Sequence, residues 1–180
     1  VVRFFILSTH YRNELNFTLE ALDRATETVK NLSEFVQRIK DLSEKVTTRK
    51  KNLRLLELLH KAKKDFENFM DDDLDVPQAL SVMFDFIREV NVEIDSKKAD
   101  KKSLKKIFEF FMKINEIFDI IDLSEYQLAE EEKNMIERRE ELRKEKKFVE
   151  SDKIRSLLKE RGILLEDTPY GVRWIVKRKK

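Results

Sequence analysis

Chain breakers are rare in this sequence, and their scarcity limits what the chain can fold into more than any other feature. The 180 residues include only two glycines and two prolines. Because these residues disfavour helix interiors most strongly, long stretches without them predict long helices. The sequence therefore predicts a mostly α-helical protein.

Apolar periodicity divides the first two thirds of the chain into four amphipathic helices. The first covers about residues 17–46, and the second has a stripe through Leu53, Leu56, Leu59, Ala62, Phe66 and Phe69, or one position to either side. Asp75 is placed to cap the third helix, which carries Pro77 in its first turn and continues to Val90. A polar loop over 95–102 precedes the fourth helix, which spans about 104–118. Connections this short predict an antiparallel helical bundle.

The last third of the sequence predicts a smaller α+β unit. Ser124 to Gln127 matches a capping box, which should start a charged fifth helix ending near Lys146. A shorter helix over about 149–161 follows, with Gly162 in the left-handed position after its end. Two short strands, 163–166 and 172–176, flank turn residues 167–171 and predict a β-hairpin. We expect domain 1–123 to be the bundle and domain 124–180 to hold the connector helix and the α+β unit.

Several classes of site are excluded or disfavoured by composition. The chain has no cysteine and only two histidines, so disulfides and thiolate metal sites are excluded and a histidine metal site is disfavoured. No Gly-rich phosphate loop and no apolar run of bilayer-spanning length are present. His10 and His60 lack a partner pattern for catalysis. We therefore expect a chain without catalytic residues, metal or cofactor, and a cytoplasmic monomer.

The distribution of charge is uneven although the net charge is only +2. Residues 1–136 carry a net charge of −4, whereas residues 137–180 carry +6. A basic end on a slightly acidic body is typical of nucleic-acid binding. A solvated basic tail would give the same asymmetry, so charge alone leaves both interpretations open.

The basic end also combines the groups that single-stranded RNA recognition requires. Guanidinium groups contact phosphates or stack on bases, aromatic rings stack, and carboxylates accept hydrogen bonds from base amines. If the short helix begins near Phe148, then Phe148, Asp152 and Arg155 share one of its faces, with Arg143 five residues upstream. The alternative is that Asp152 and Arg155 form a surface ion pair while Phe148 is a core residue.

Four stretches resemble cysteinyl-tRNA synthetases, in the same order as in that family. They are residues 3–17, residues 70–80 followed by 88–91, residues 143–155, and residues 162–174. The third has the family spacing Arg-x4-aromatic-x3-Asp-x2-Arg, and the fourth resembles Gly-Ile-x-Leu-Glu-Asp-x-Pro-x-Gly-x-x-Trp. The resemblance implies a helical bundle of the DALR type followed by an anticodon-binding α+β unit. It also implies a fragment, because the family's nucleotide-binding fold and catalytic motifs are absent from this sequence.

In that family the C-terminal unit reads the GCA anticodon of tRNA(Cys). Carried over by position, the anticodon-binding residues would be Arg143, Phe148, Asp152, Arg155 and Asp167. Phe148 stands where the family commonly has Trp, so its ring can stack but it has no indole N–H. Weaker candidates for contacts to the tRNA backbone are Arg12, Arg138, Arg139, Lys144, Lys146 and Lys147.

The resulting hypothesis is a non-catalytic tRNA(Cys)-binding fragment of a cysteine–tRNA ligase. The parent enzyme would hold ATP and a catalytic zinc in its catalytic domain. That missing domain of the same polypeptide would be a partner of this chain. A helical protein–protein interaction scaffold without RNA specificity is the alternative from another class. A subunit that becomes active only with a separate catalytic chain is the third.

Overall fold

The computed structural model describes residues 1–46, 51–126, 128–168 and 171–176. Over these ranges the chain is mostly helical, as predicted, with seven α-helices and one antiparallel pair of strands. The helices are α1 (Val2–Leu7), α2 (Leu19–Lys45), α3 (Leu53–Asp71), α4 (Val76–Asp95), α5 (Lys101–Phe118), α6 (Glu130–Lys144) and α7 (Phe148–Glu160). The strands are β1 (Ile163–Thr168) and β2 (Gly171–Val176). Two compact units result, Val1–Asp122 and Leu123–Lys180.

The first unit is a helical bundle in which α3 packs on α4 and α2 packs on α5. Phe111 on α5 is fully buried at its centre. Its ring meets Phe35 of α2 edge-on at 5.4 Å and stacks on Phe86 of α4 at 6.1 Å, measured between centroids. Aromatic pairs of this kind add to the free energy of burying apolar surface. Phe35, Phe86 and Phe111 thus join three of the helices.

The start of α4 agrees with its sequence signals. The Asp75 carboxylate accepts a hydrogen bond from the Gln78 N–H at 3.2 Å, and Pro77 lies in the first turn, where no intrahelical N–H is needed. The turn before it is tight, because Asp73 and Leu74 both have positive φ angles, 55° and 54°. This turn reverses the chain, so that α3 and α4 run antiparallel.

The second unit combines α6, α7 and the β-hairpin around a small apolar core. Its buried residues are Leu128, Ile136, Leu158, Ile163, Leu165, Val172 and Val176. The register pairs Ile163 with Val176 and Leu165 with Trp174, so that alternate residues of both strands face this core. An ion pair of 2.9 Å between Arg161 and Glu131 ties the end of α7 to the start of α6. The two helices are therefore antiparallel.

Several predicted boundaries are wrong. Ser124 starts a 3₁₀ turn (Ser124–Tyr126) rather than the fifth helix, because Tyr126 and Leu128 turn inward to buried positions. Helix α6 begins at Glu130 instead, where the Glu132 carboxylate accepts a hydrogen bond from the Ala129 N–H at 2.8 Å. It ends at Lys144, before the predicted Lys146. The loop between α4 and α5 is shorter than predicted and covers residues 96–100.

The buried stripe of α3 agrees with the prediction apart from its first residue, and the strands are longer than predicted. The buried side of α3 carries Leu55, Leu59, Ala62 and Phe66, while Leu53 is exposed. Leu59, Ala62 and Phe66 thus confirm the predicted stripe, and Leu55 lies one position from the predicted Leu56, whereas the assignment of Leu53 to the stripe is wrong. Both strands extend toward the turn, so that Asp167 belongs to β1 rather than to the turn. Residues 169–170 of the predicted turn lie outside the described residues.

Candidate nucleic-acid interface

A tight connection between α6 and α7 positions the first residues of the candidate site. Lys146 has a φ of 62°, the left-handed conformation that usually belongs to glycine. The Lys147 N–H donates to the Leu142 carbonyl at 2.8 Å, and the Lys146 N–H donates to the Arg143 carbonyl at 3.1 Å. These two bonds are those of a Schellman motif, which ends α6 and satisfies its last carbonyls. The motif fixes Arg143 and Phe148 on either side of one turn.

Phe148, Asp152 and Arg155 lie on α7, as the sequence predicted, and all three are exposed. Phe148 is the first residue of the helix and 57% exposed, so it is not the core residue of the alternative interpretation. Among the described residues, Asp152 and Arg155 form no ion pair with each other either. Their spacing of four and three residues places them on one face with Phe148. This face is open to a ligand from solution.

Asp167 lies on the side of the hairpin that faces the core. It follows Ile163 and Leu165 at intervals of two along β1, and its partner in the register is the buried Val172. Asp167 therefore stands at the end of an apolar row, where its side chain reaches α6. The carboxylate remains 50% exposed. It can thus contact both the protein and a ligand.

Two arginines contact the Asp167 carboxylate, and a third acts on it through its charge. Arg139 Nη1 is 3.2 Å from Asp167 Oδ1 and Arg139 Nη2 is 3.4 Å from Oδ2. Arg143 Nη1 is 3.3 Å from Oδ2. The hydrogen bonds from Arg139, with the charges of Arg139, Arg143 and Arg155, hold the pKa of Asp167 below its usual value despite the opposing effect of desolvation. Asp167 is therefore a carboxylate, and an acceptor only, at neutral pH.

Arg139 is buried, although the sequence predicts that it contacts the tRNA backbone. Its side chain is 1% exposed, so the guanidinium cannot meet a phosphate from solution in this structure. The prediction that Arg139 contacts the tRNA backbone is therefore wrong for this conformation. A signal for its burial was present, because Arg139 lies three residues from both Ile136 and Leu142 on the buried stripe of α6.

The remaining backbone candidates are all exposed, but three of them have acidic partners. Arg12 lies 2.9 Å from Asp73, Arg138 lies 2.9 Å from Glu141, and Lys147 lies 2.8 Å from Glu145. Exposed ion pairs of this kind are weak and exchange readily with other anions. Lys144 and Lys146 are exposed beside the turn between α6 and α7. The structure thus brings four of these candidates near Arg143 and Phe148, while Arg12 belongs to the first unit.

Within the described ranges, no group of three or more His, Asp or Glu side chains could hold a metal ion. None of the helices in those ranges is long and apolar enough to cross a membrane.

Comparison with known families identifies one matching region. A family model described as a DALR domain matches residues 65–122, from within α3 to the end of the first unit. DALR domains are anticodon-binding domains of some aminoacyl-tRNA synthetases, and over these residues the chain is similar to them. The matched residues cover the last turns of α3, all of α4 and α5, and the segment that follows α5, whereas α1 and α2 lie outside them. The candidate interface on α6, α7 and β1 lies outside the matched segment.

Proposed function

We propose that this chain binds tRNA(Cys) and reads its GCA anticodon with the interface formed by α6, α7 and β1. In this proposal the chain is part of a cysteine–tRNA ligase, and its own residues recognise RNA rather than catalyse. Two features support it independently of each other. One is the DALR match in the bundle, and the other is the resemblance of residues 143–155 and 162–174 to cysteinyl-tRNA synthetases.

The observation that carries the proposal is the convergence of opposite charges beside an exposed ring. Arg143 and Arg155 act together on the half-exposed Asp167, while Phe148 is exposed at the start of α7. A surface that bound only phosphate would exclude a carboxylate, because its charge repels the backbone. A surface that reads bases gains from one, because a carboxylate accepts hydrogen bonds from guanine N1–H and N2–H₂ or from cytosine N4–H₂.

Each residue then has a definite part in recognition. The Phe148 ring stacks on an unpaired anticodon base, an interaction of ~1–3 kcal/mol per base. Asp152 and Asp167 accept hydrogen bonds from base edges, and Arg143 and Arg155 contact the bases and the adjoining backbone. A wrong base would leave a desolvated carboxylate without its donors, which costs about 1–3 kcal/mol. Discrimination between bases therefore comes from the acidic side chains, and general affinity for RNA comes from the basic side chains.

A binding titration tests the proposal directly. The chain would be titrated against an anticodon stem-loop carrying GCA and against stem-loops in which one anticodon base is changed. We expect tighter binding to the GCA loop, and weaker binding of all loops as salt rises. Equal affinity for all loops would contradict anticodon reading, and absence of binding to any loop would favour the protein–protein scaffold.

Two substitutions separate discrimination from affinity. Asp152→Ala should reduce the preference for GCA more than it reduces binding to a changed loop, because a carboxylate contacts bases and not phosphates. Lys144→Ala should weaken binding to all loops similarly, because an exposed ammonium contacts the backbone. The opposite ordering would contradict the roles assigned to these residues.

The proposed parent enzyme makes a further requirement. Activation of cysteine would use ATP and a catalytic zinc held by residues outside this chain, which has no cysteine to ligate zinc. The chain incubated with ATP and cysteine should form no aminoacyl-adenylate. Formation of the adenylate would show a catalytic site within these residues and overturn this division of labour.

A further inference from the structure

Arg139 is the largest of the fully buried side chains in the described part of the protein, although it carries a charge. It lies on the stripe of α6 that includes Ile136 and Leu142, a place where an apolar residue would serve the core. Removing a guanidinium from water is strongly unfavourable unless its partners compensate. The burial of Arg139 therefore needs a reason.

The contacts of Arg139 do not account for its burial through stability alone. Its two bonds to Asp167 are long, at 3.2 and 3.4 Å, and its Nε has no hydrogen-bond partner among the described residues. Only the contact between Nη1 and Glu140, at 2.6 Å, is short. Because a buried ion pair with an unsatisfied N–H is often no more stable than packed apolar side chains, a methionine would fill this site as well.

The geometry points instead to orientation of the Asp167 carboxylate. The two terminal nitrogens of Arg139 each face one oxygen of Asp167, so that the rigid guanidinium fork defines the plane of the carboxylate. Each carboxylate oxygen has two acceptor positions, and Arg139 uses one on each oxygen from the protein side. Oδ2 also faces Arg143 Nη1 at 3.3 Å, and the Asp167 side chain as a whole is half exposed, so acceptor capacity remains for a ligand.

We propose that Arg139 is a positioning residue for base recognition, which fixes Asp167 so that its free acceptor positions match the paired donors of one anticodon base. This inference rests on the proposed function, because it assumes that Asp167 contacts a base. A carboxylate free to rotate would accept hydrogen bonds from many arrangements of donors and discriminate poorly. A carboxylate held in one plane rejects a base whose donors do not match.

Arg143 has a different part, although it also contacts Asp167. Its side chain is 39% exposed, and its single close contact is to one oxygen. Arg143 can therefore turn toward an RNA phosphate while Arg139 keeps the carboxylate in place. A buried arginine orients the acid, and an exposed arginine contacts the ligand.

The test compares Arg139→Lys, Asp167→Ala and the double variant by titration with the GCA stem-loop and with changed loops. Lysine keeps the positive charge but lacks the fork. We expect Arg139→Lys to lower the preference for GCA by about tenfold, the scale of one good base contact, with little change in binding to changed loops. In the Asp167→Ala background the same substitution should change the preference no further, since Arg139 acts through Asp167.

A second measurement tests whether Arg139 acts on Asp167 itself rather than only on the stability of the fold. The pKa of Asp167, followed by NMR of its side-chain carboxyl carbon, should rise toward the usual value in Arg139→Lys, because the bidentate hydrogen bonding is lost. If the lysine variant fails to fold, Arg139→Met takes its place in both measurements, because its apolar chain fills the same buried volume.

The outcomes distinguish the two proposals. Loss of preference in Asp167→Ala with full preference in Arg139→Lys would overturn the positioning role and leave anticodon reading intact. Full preference in Asp167→Ala would remove Asp167 from base reading and overturn the positioning role alone, because the preference that remains is itself anticodon reading. Equal binding of all loops by the unaltered chain would overturn both proposals. An unchanged pKa of Asp167 in Arg139→Lys would also contradict the positioning role.

Discussion

Arg143 and Asp167 form an ion pair in which Nη1 of one lies 3.3 Å from Oδ2 of the other, although they belong to α6 and β1. The sequence assigned both residues to anticodon binding without showing that they meet. If the chain binds RNA as proposed, a phosphate would therefore compete with Asp167 for Arg143. Both side chains are partly exposed, so this exchange requires little rearrangement.

The first prediction follows from this exchange. Arg143→Gln should weaken binding of every anticodon stem-loop and lower the slope of log K against log salt by about one, the change for one lost phosphate contact. Lys133→Gln is the matched control. Lys133 is also exposed on α6, but it forms an ion pair with Glu130 in the first turn of that helix. An unchanged salt slope in Arg143→Gln would place Arg143 away from the RNA backbone.

The second prediction concerns the exposed ring at the start of α7. Phe148→Ala should reduce the binding free energy by ~1–3 kcal/mol, the range for one lost base stack. It should leave the melting temperature nearly unchanged, because the ring is 57% exposed. Phe148→Trp should bind at least as tightly as the unaltered chain, since it enlarges the stacking surface.

A neighbouring residue supplies the control for Phe148. Val149 is also apolar and is 72% exposed, but it lies one position further round the helix. Val149→Ala should therefore change RNA binding little. Equal losses in Phe148→Ala and Val149→Ala would indicate general apolar contact with α7 instead of base stacking.

The elements that the sequence predicted well are those set by local signals. The start of α4 depends on Asp75, on Pro77 and on the apolar spacing that follows, all within one short segment. Gly162, with a φ of 78°, ends α7 as expected, because a residue without Cβ adopts this conformation freely. Such signals do not need the rest of the fold.

The errors arose where distant residues decide the outcome. The capping pattern at Ser124 was valid locally, but burial of Tyr126 and Leu128 competes with extending α6 backward. The burial of Arg139 depends on an acid supplied by β1. Arg139 and Asp167 nevertheless both occupy core-facing positions. Helical spacing places Arg139 on the buried stripe of α6, and strand alternation places Asp167 on the core side of β1. A search for opposite charges at core-facing positions would have paired them from the sequence.

The third prediction concerns the core of the bundle. Phe111→Ala should lower the free energy of unfolding by about 3–5 kcal/mol, because it removes a fully buried ring and leaves a cavity between Phe35 and Phe86. Ile117→Ala, on the same helix but 67% exposed, should change it by less than about 0.5 kcal/mol. Chemical denaturation of both variants measures the difference. Similar losses would mean that Phe111 is not central to this core.

The fourth prediction concerns Asp41, a partly buried acid on α2. Desolvation raises its pKa to about 6 from an ordinary value of 3.8, although the hydrogen bond from Gln37 and the charges of Lys45 and Lys40 act in the opposite direction. Between these two pKa values the folded state binds more protons than the unfolded state. This group therefore makes stability fall as pH rises through that window, and the penalty is complete above pH 6.

Asp41→Asn should remove this penalty, since the amide is neutral at every pH and its oxygen can still accept from Gln37. We expect the variant to be more stable than the unaltered chain by about 3 kcal/mol at pH 7 and by less than about 1 kcal/mol near pH 4. Denaturant unfolding at both pH values gives the difference in the free energy of unfolding between the two proteins. The contributions of the other carboxylates cancel in that difference. Glu27→Gln, at an exposed position on the same helix, should show no comparable gain, and a gain in Asp41→Asn independent of pH would contradict the assigned pKa.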